Sequence, residues 1–171
     1  MEKPSPSLYE RVAQQHVSRF EGTYTGSVNA AALVVSSHKP GDAAKAALAA
    51  SFRALGYSSL SIGWVQCATS TAAPTEPGSG TQAGPADCTA QSKSGNLFTL
   101  IEAICPLCVV SLDQQAATAL SHDFNTPLPL ESRTLLMGHA CICFQDFDSL
   151  LSSDQGKQKA WALLKTLPKM P

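Results

Sequence analysis

The amino-acid sequence predicts a single α/β domain, residues 1–171, built on an open, mostly parallel sheet with helices on both faces. Three observations predict it. Strand-like and helix-like segments alternate four times between Ala30 and Leu167, the order that feeds parallel strands through crossover helices. The strand segments at residues 30–36 (AAALVVS) and 107–112 (LCVVSL) are continuous apolar runs, as suits strands buried on both faces. A length of 171 residues with 44% hydrophobic side chains is enough for one domain with a real core.

Each element has a local reason. Residues 7–21 place Leu8, Val12, His16 or Val17 and Phe20 at helical spacing. Residues 22–29 form a polar, glycine-bearing linker, and residues 30–36 form the first strand. The turn Ser37-His38-Lys39-Pro40-Gly41 leads to Asp42, a helix N-cap, and an alanine-rich helix that ends at Leu55 with Gly56 as its C-terminal cap. Residues 59–67 read as the second strand. Residues 68–94 are rich in Pro, Gly, Ser and Thr and nearly free of large apolar side chains. Such a segment cannot bury enough surface to offset its ordering entropy, so it reads as a long mobile loop within the domain. Helix returns over residues 95–104, followed by the third strand. Asp113 caps a helix over residues 113–122, and residues 134–144 hold strand interrupted at Gly138. A short element at residues 147–151 precedes a closing helix from Ser153 or Asp154 to Leu167. Its face of Trp161, Leu164 and Leu167 turns inward, and Lys157, Lys159 and Lys165 face water.

Composition narrows the function. Only 15% of residues are charged and the net charge is -1, which excludes a basic nucleic-acid wrapper, an acidic tail and a polybasic membrane binder. No stretch approaches the ~20 apolar residues of a membrane span, and the opening residues lack the apolar run of a signal peptide. The expected setting is cytoplasmic, with no membrane contact. The six cysteines, Cys67, Cys88, Cys105, Cys108, Cys141 and Cys143, are then free thiols rather than a disulfide framework. Cys105 and Cys108 have C-x-x-C spacing, but the pair closes one apolar run and enters another instead of opening a helix, so Cys108 faces a buried strand. His139, Cys141 and Cys143 share one strand face. Ligands at i, i+2 and i+4 span ~13 Å along a strand, too far to share one zinc ion. No metal and no cofactor are expected.

Several strings resemble the uracil-DNA glycosylase superfamily, in particular its iron–sulfur branch. Residues 106–120 (PLCVVSLDQQAATAL) are similar to the family's strand–helix unit P-x-x-I-V-A-L-G-x-x-A-A-x-x-L. Residues 147–165 (FDSLL…KQKAWALLK) are similar to its closing H-P-S-A-L-L…K-x-x-A-W-x-D-L. Residues 34–41 (VVSSHKPG) stand where the family has V-G-E-A-P-G, and residues 61–67 (SIGWVQC) where it has T-N-V-V-K-C. The fold this resemblance implies is a three-layer α/β/α domain on a four-stranded parallel sheet in the order 2-1-3-4.

The family's catalytic side chains do not carry over. Its water-activating acid falls on His38, its base-reading Asn near Gly63, and its closing His near Asp146, where a carboxylate would repel an anionic base. The segment bearing the stacking Phe is missing, and no cysteine precedes Cys67. Excising a flipped base needs stacking, edge readout and charge stabilisation together, so the resemblance implies a degenerate member without glycosylase activity.

In an open parallel sheet, ligands bind at strand carboxyl ends where the strand order reverses. The expected crevice is lined by Ser36, Ser37, His38, Lys39, Gly41, Gly63 and the Asp113 turn. The turn before the helix offers backbone N–H groups to an anion, with Lys39 adding charge; the alternative is a plain polar turn capped by Asp42. The expected function is a non-catalytic module that binds a protein partner or, weakly, nucleic acid. The alternative is an enzyme of altered chemistry that uses His38 with Asp42 or Asp146 as acid and base.

Overall fold

The computed structural model describes residues 7–67 and 96–170. The loop expected over residues 68–94, and Cys88 within it, lie outside the described residues. Among the described residues six helices, α1 (Leu8–Val17), α2 (Asp42–Ala54), α3 (Leu97–Ile104), α4 (Gln114–Asp123), α5 (Phe147–Leu150) and α6 (Asp154–Leu164), pack on a sheet of β1 (Tyr24–Thr25), β2 (Ala32–Ser36), β3 (Ile62–Gln66), β4 (Cys108–Ser111), β5 (Arg133–Leu136) and β6 (His139–Cys143). Short 3-10 turns at Ser18–Phe20 and Ser59–Ser61 follow α1 and precede β3.

The sheet is six-stranded and mixed, in the order β1-β3-β2-β4-β6-β5. This corrects the expected four-stranded parallel sheet in the order 2-1-3-4. Parallel pairing joins β3, β2, β4 and β6, while β1 and β5 are antiparallel at the two edges. Both edges escape sequence pattern for physical reasons. β1 has two residues inside what reads as a linker, too few for any periodicity. The interruption at Gly138 is a hairpin turn: Met137 and Gly138 have φ of 51° and 90°, the pair of positive angles a two-residue hairpin requires. One strand with a break is therefore two strands.

The parallel strands are apolar on both faces because helices cover both. Val34, Val110 and Ile142 meet Leu48, Phe52, Phe144, Phe147 and Leu164 under α2, α5 and α6. Leu33, Val109 and Cys141 meet Phe20, Leu100, Ile101 and Leu120 under the other three helices. Every residue of β2 is buried, which explains its lack of alternation.

Helix ends follow local chemistry. Ser7 and Glu10 form a reciprocal capping box at α1. Of the stripe expected from the sequence, Val17 and Phe20 meet the core, whereas Leu8 and Val12 are exposed and Ala13 turns inward in their place. At the end of α2, the Tyr57 N–H donates to the Phe52 carbonyl and the Gly56 N–H to that of Arg53. With Gly56 at φ 92°, this is a Schellman stop, closed by the edge-to-face contact of Phe52 with Tyr57 at 5.5 Å. The N-cap of α2 is Gly41, with no side-chain bond; Asp42 is the first helical residue rather than the cap. Asp113 caps α4 as its sequence position implies. No helix among the described residues is long and apolar enough to cross a membrane.

Candidate functional site

Three loops converge at the carboxyl ends of the central strands. β2 delivers Ser36, Ser37 and His38, β4 delivers Ser111 and Asp113, and β6 leads through Asp146 into α5, whose first turn carries Asp148. The loops after β4 and β6 are stitched together by an antiparallel bridge between Asp113 and Asp146 and by Gln114 N–H donating to the Gln145 carbonyl.

Asp113 organises the centre. One carboxylate oxygen accepts from the Ala116 N–H and the other from the Ser37 N–H, both at 2.8 Å. It therefore caps α4 and pins the loop after β2 with the same side chain. Ser111 Oγ donates to the Asp113 carbonyl at 2.9 Å. Beside it, burial pushes the Cys67 thiol up to about 11, and the negative charge of Asp113 adds to that rise. The thiol donates to the Ser36 carbonyl, so Cys67 supports the loop as a neutral group rather than as a nucleophile.

His38 stands between two carboxylates. Its Nδ1 is 3.7 Å from Asp113 Oδ2 and its Nε2 is 3.7 Å from Asp148 Oδ2. Ser37 Oγ also lies 3.2 Å from Nδ1. A Ser–His–Asp triad needs the hydroxyl on one ring nitrogen and the carboxylate on the other. Here the hydroxyl shares a nitrogen with Asp113, and the second nitrogen faces an acid. Among the described residues the ring stands between two carboxylates, and the one hydroxyl beside it shares a nitrogen with Asp113.

Asp148 also meets the start of α2. A Cβ built on Gly41, the N-cap of α2, would lie 3.4 Å from Asp148 Oδ1, so this carboxylate stands beside the start of the helix, with no hydrogen bond from an α2 N–H among the described residues. That is where an anionic ligand would gain most from the unpaired N–H groups and the helix dipole. Asp148 places a negative charge close to that position.

The structure thus brings together Ser36, Ser37, His38, Gly41 and Asp113. Lys39 is exposed on the same turn and makes no ion pair among the described residues. Asp42 is exposed on α2, and among the described residues it forms no hydrogen bond or ion pair with His38. Asp146 accepts from the Ser149 N–H at 2.9 Å and caps α5. Neither acid expected to work with His38 is therefore its partner. Gly63 lies elsewhere: it is in the first half of β3, opposite Leu33, and a Cβ there would come within 2.7 Å of the Tyr24 hydroxyl. It is a glycine because Tyr24 packs across it, not because a ligand approaches.

Sequence reasoning missed Asp148 and Gln66, whose Nε2 reaches the Ser37 carbonyl at 3.5 Å. A signal for Asp148 was present. In Asp146-Phe147-Asp148-Ser149, the first acid is spent as an N-cap, which leaves the second to face the neighbouring loop.

The cysteine strings are structural. Cys108 opens β4 fully buried, its thiol beside the Tyr57 hydroxyl and pushed up to about 11 by burial, whereas Cys105 is exposed with φ of 50° at the end of α3. His139 Nδ1 donates to the Pro106 carbonyl, and Cys141 and Cys143 lie buried with sulfurs 3.9 Å apart. Among the described residues no group of three or more His, Cys, Asp or Glu is placed to hold a metal ion. A groove of about 480 Å³ lies between Ala43, Ala47 and Ser51 of α2 and Lys157 and Trp161 of α6, and reaches Phe147 beside the crevice. A scan of protein-family models found no match to this chain, and a search of curated proteins found none either.

Proposed function

We propose that this chain is a non-catalytic binding module, a degenerate relative of the uracil-DNA glycosylase superfamily, that acts through protein contacts in the cytoplasm. The observation that carries the reading is the position of Asp148. Its carboxylate stands between His38 and the N-terminus of α2, so the crevice holds an internal anion where a phosphate or an anionic leaving base would have to sit. Asp146 and Asp148 lie exposed on the approach to and first turn of α5, Asp42 is exposed at the start of α2, and the loop after β2 carries one lysine, Lys39. That balance repels a phosphate backbone, which favours a protein partner over nucleic acid. The bridging of His38 by two acids argues against the alternative of an enzyme using His38 as acid or base, since both ring nitrogens already face carboxylates. The cytoplasmic setting is supported by the described cysteines, five free thiols of which four are buried.

The test is a titration of the purified protein with labelled single-stranded and duplex DNA at two salt concentrations, with uracil excision read on the same samples. The reading expects neither excision nor saturable binding. Excision that disappears in His38→Ala would overturn it, and saturable binding with a steep salt slope would move the function to nucleic acid.

A further inference from the structure

We propose that the free edge of β5 is a self-association site at which two copies of this chain join their sheets, β5 against β5, about a two-fold axis. The contact is independent of the strand-end crevice and of the function proposed for it.

The hydrogen-bonding direction of each β5 residue follows from β6. Ala140 N–H donates to the Leu107 carbonyl and Phe144 N–H to that of Ser111, while the Cys143 carbonyl accepts from the Glu131 N–H. Even-numbered residues of β6 therefore turn their backbone groups to β4 and odd-numbered ones toward β5. The register pairs Thr134 with Cys141 and Leu136 with His139, so these exchange the hairpin's hydrogen bonds. Leu135 and Arg133, opposite Ala140 and Ile142, point their N–H and C=O groups outward. β5 is the last strand of the sheet, so among the described residues no further strand receives them.

An exposed edge of this kind is a template for another strand. This one is self-complementary. If Thr134 lies on the two-fold axis, Arg133 of one copy faces Leu135 of the other, and Leu135 faces Arg133. Both are outward-pointing residues, and each such pair exchanges two backbone hydrogen bonds. The two arginines are not opposed to each other, and each can lay its aliphatic stem over a leucine. Thr134 faces its own counterpart, a favourable cross-strand pair. Leu135 and Met137 are 63% and 66% exposed, so the edge carries apolar side chains that pairing would cover. A net charge of -1 gives two copies little reason to repel. The opposite edge, β1, has two residues and offers no comparable ladder.

The central pair makes the test direct. Threonines at a non-hydrogen-bonded antiparallel pair have Cα atoms about 4.5 Å apart, within the span of a disulfide. Thr134→Cys, oxidised across a range of protein concentrations, is expected to give a dimer linked through the two introduced thiols, located by peptide mapping. Sedimentation of the unmodified chain is expected to show a dimer that grows with concentration. Leu135→Pro serves as the blocking variant, because the lost N–H points outward and proline is tolerated on such an edge; circular dichroism checks that it folds. Added to Thr134→Cys, it should abolish the cross-link, as should Leu135→Lys. A chain that stays monomeric at all concentrations, a Thr134→Cys cross-link no greater than in the parent, or one unaffected by folded Leu135→Pro or Leu135→Lys, would overturn the proposal.

Discussion

The strand-end crevice and the β5 edge are opposite in character. At the crevice the central charges are answered from within: Asp113 receives two backbone N–H groups, His38 faces two acids, and Asp148 stands between His38 and the start of α2. At the edge, the backbone groups of Arg133 and Leu135 point away from the sheet, beside exposed Leu135 and Met137. Position in an α/β sheet favours the first as a binding site; bonding capacity favours the second. The difference teaches that a site at the usual place in a fold is informative only after its own polar groups have been paired off.

The comparison can be broken or sharpened by experiment. The largest effect belongs to the core on which both regions rest. Phe144 is fully buried, its ring 5.0 Å from that of Phe147, at the end of β6 where the strand enters the crevice. Phe144→Ala is expected to cost about 3–5 kcal/mol in urea unfolding and to loosen both regions. Asp113→Ala should cost about 1–3 kcal/mol, since it removes the cap of α4 and leaves the Ser37 N–H without its partner. Asp113→Asn, which keeps an acceptor oxygen, should recover part of that loss. A negligible effect of Asp113→Ala would mean that the crevice is not internally tied.

The buried thiols set an alkaline limit. Cys67 and Cys108 are each raised from an ordinary value of 9.0 to about 11, in both cases chiefly by burial. In the unfolded chain these thiols ionise first, so their contribution to stability is complete below pH 9 and is lost as the pH rises to about 11. Urea midpoints should fall across that window, and less steeply in Cys108→Ala. Parallel slopes for the two proteins would remove the thiol from the account.

The smallest effects belong to the exposed bridge. His38 is 58% exposed, so His38→Ala should change stability by about 0–1 kcal/mol. A loss of several kcal/mol would show the bridge to be far more strongly coupled than its exposure implies.

Much of this architecture was legible in the sequence. The continuous apolar runs of β2 and β4 marked strands covered on both faces, and Gly56 and Asp113 marked helix ends because their backbone roles admit few other residues. The edges were not legible: β1 is too short for a pattern, and Met137 takes a positive φ that its side chain does not advertise. The crevice was legible in its backbone and misread in its acids. Ser36, Ser37, His38 and Asp113 follow directly from strand ends, whereas the partner of His38 depends on which acid is already spent as a cap. Gly63 was misassigned because its reason, the ring of Tyr24, comes from a strand the sequence did not reveal.

The most direct test of the internal anion is a thermal melt of the chain and of Asp148→Ala, each with increasing inorganic phosphate at constant ionic strength. The account predicts that phosphate leaves the parent chain unchanged and raises the melting temperature of Asp148→Ala, because removing the carboxylate opens the N-terminus of α2 to an external anion. Equal stabilisation of both proteins by phosphate would contradict it, since the crevice would then accept an anion with Asp148 still in place.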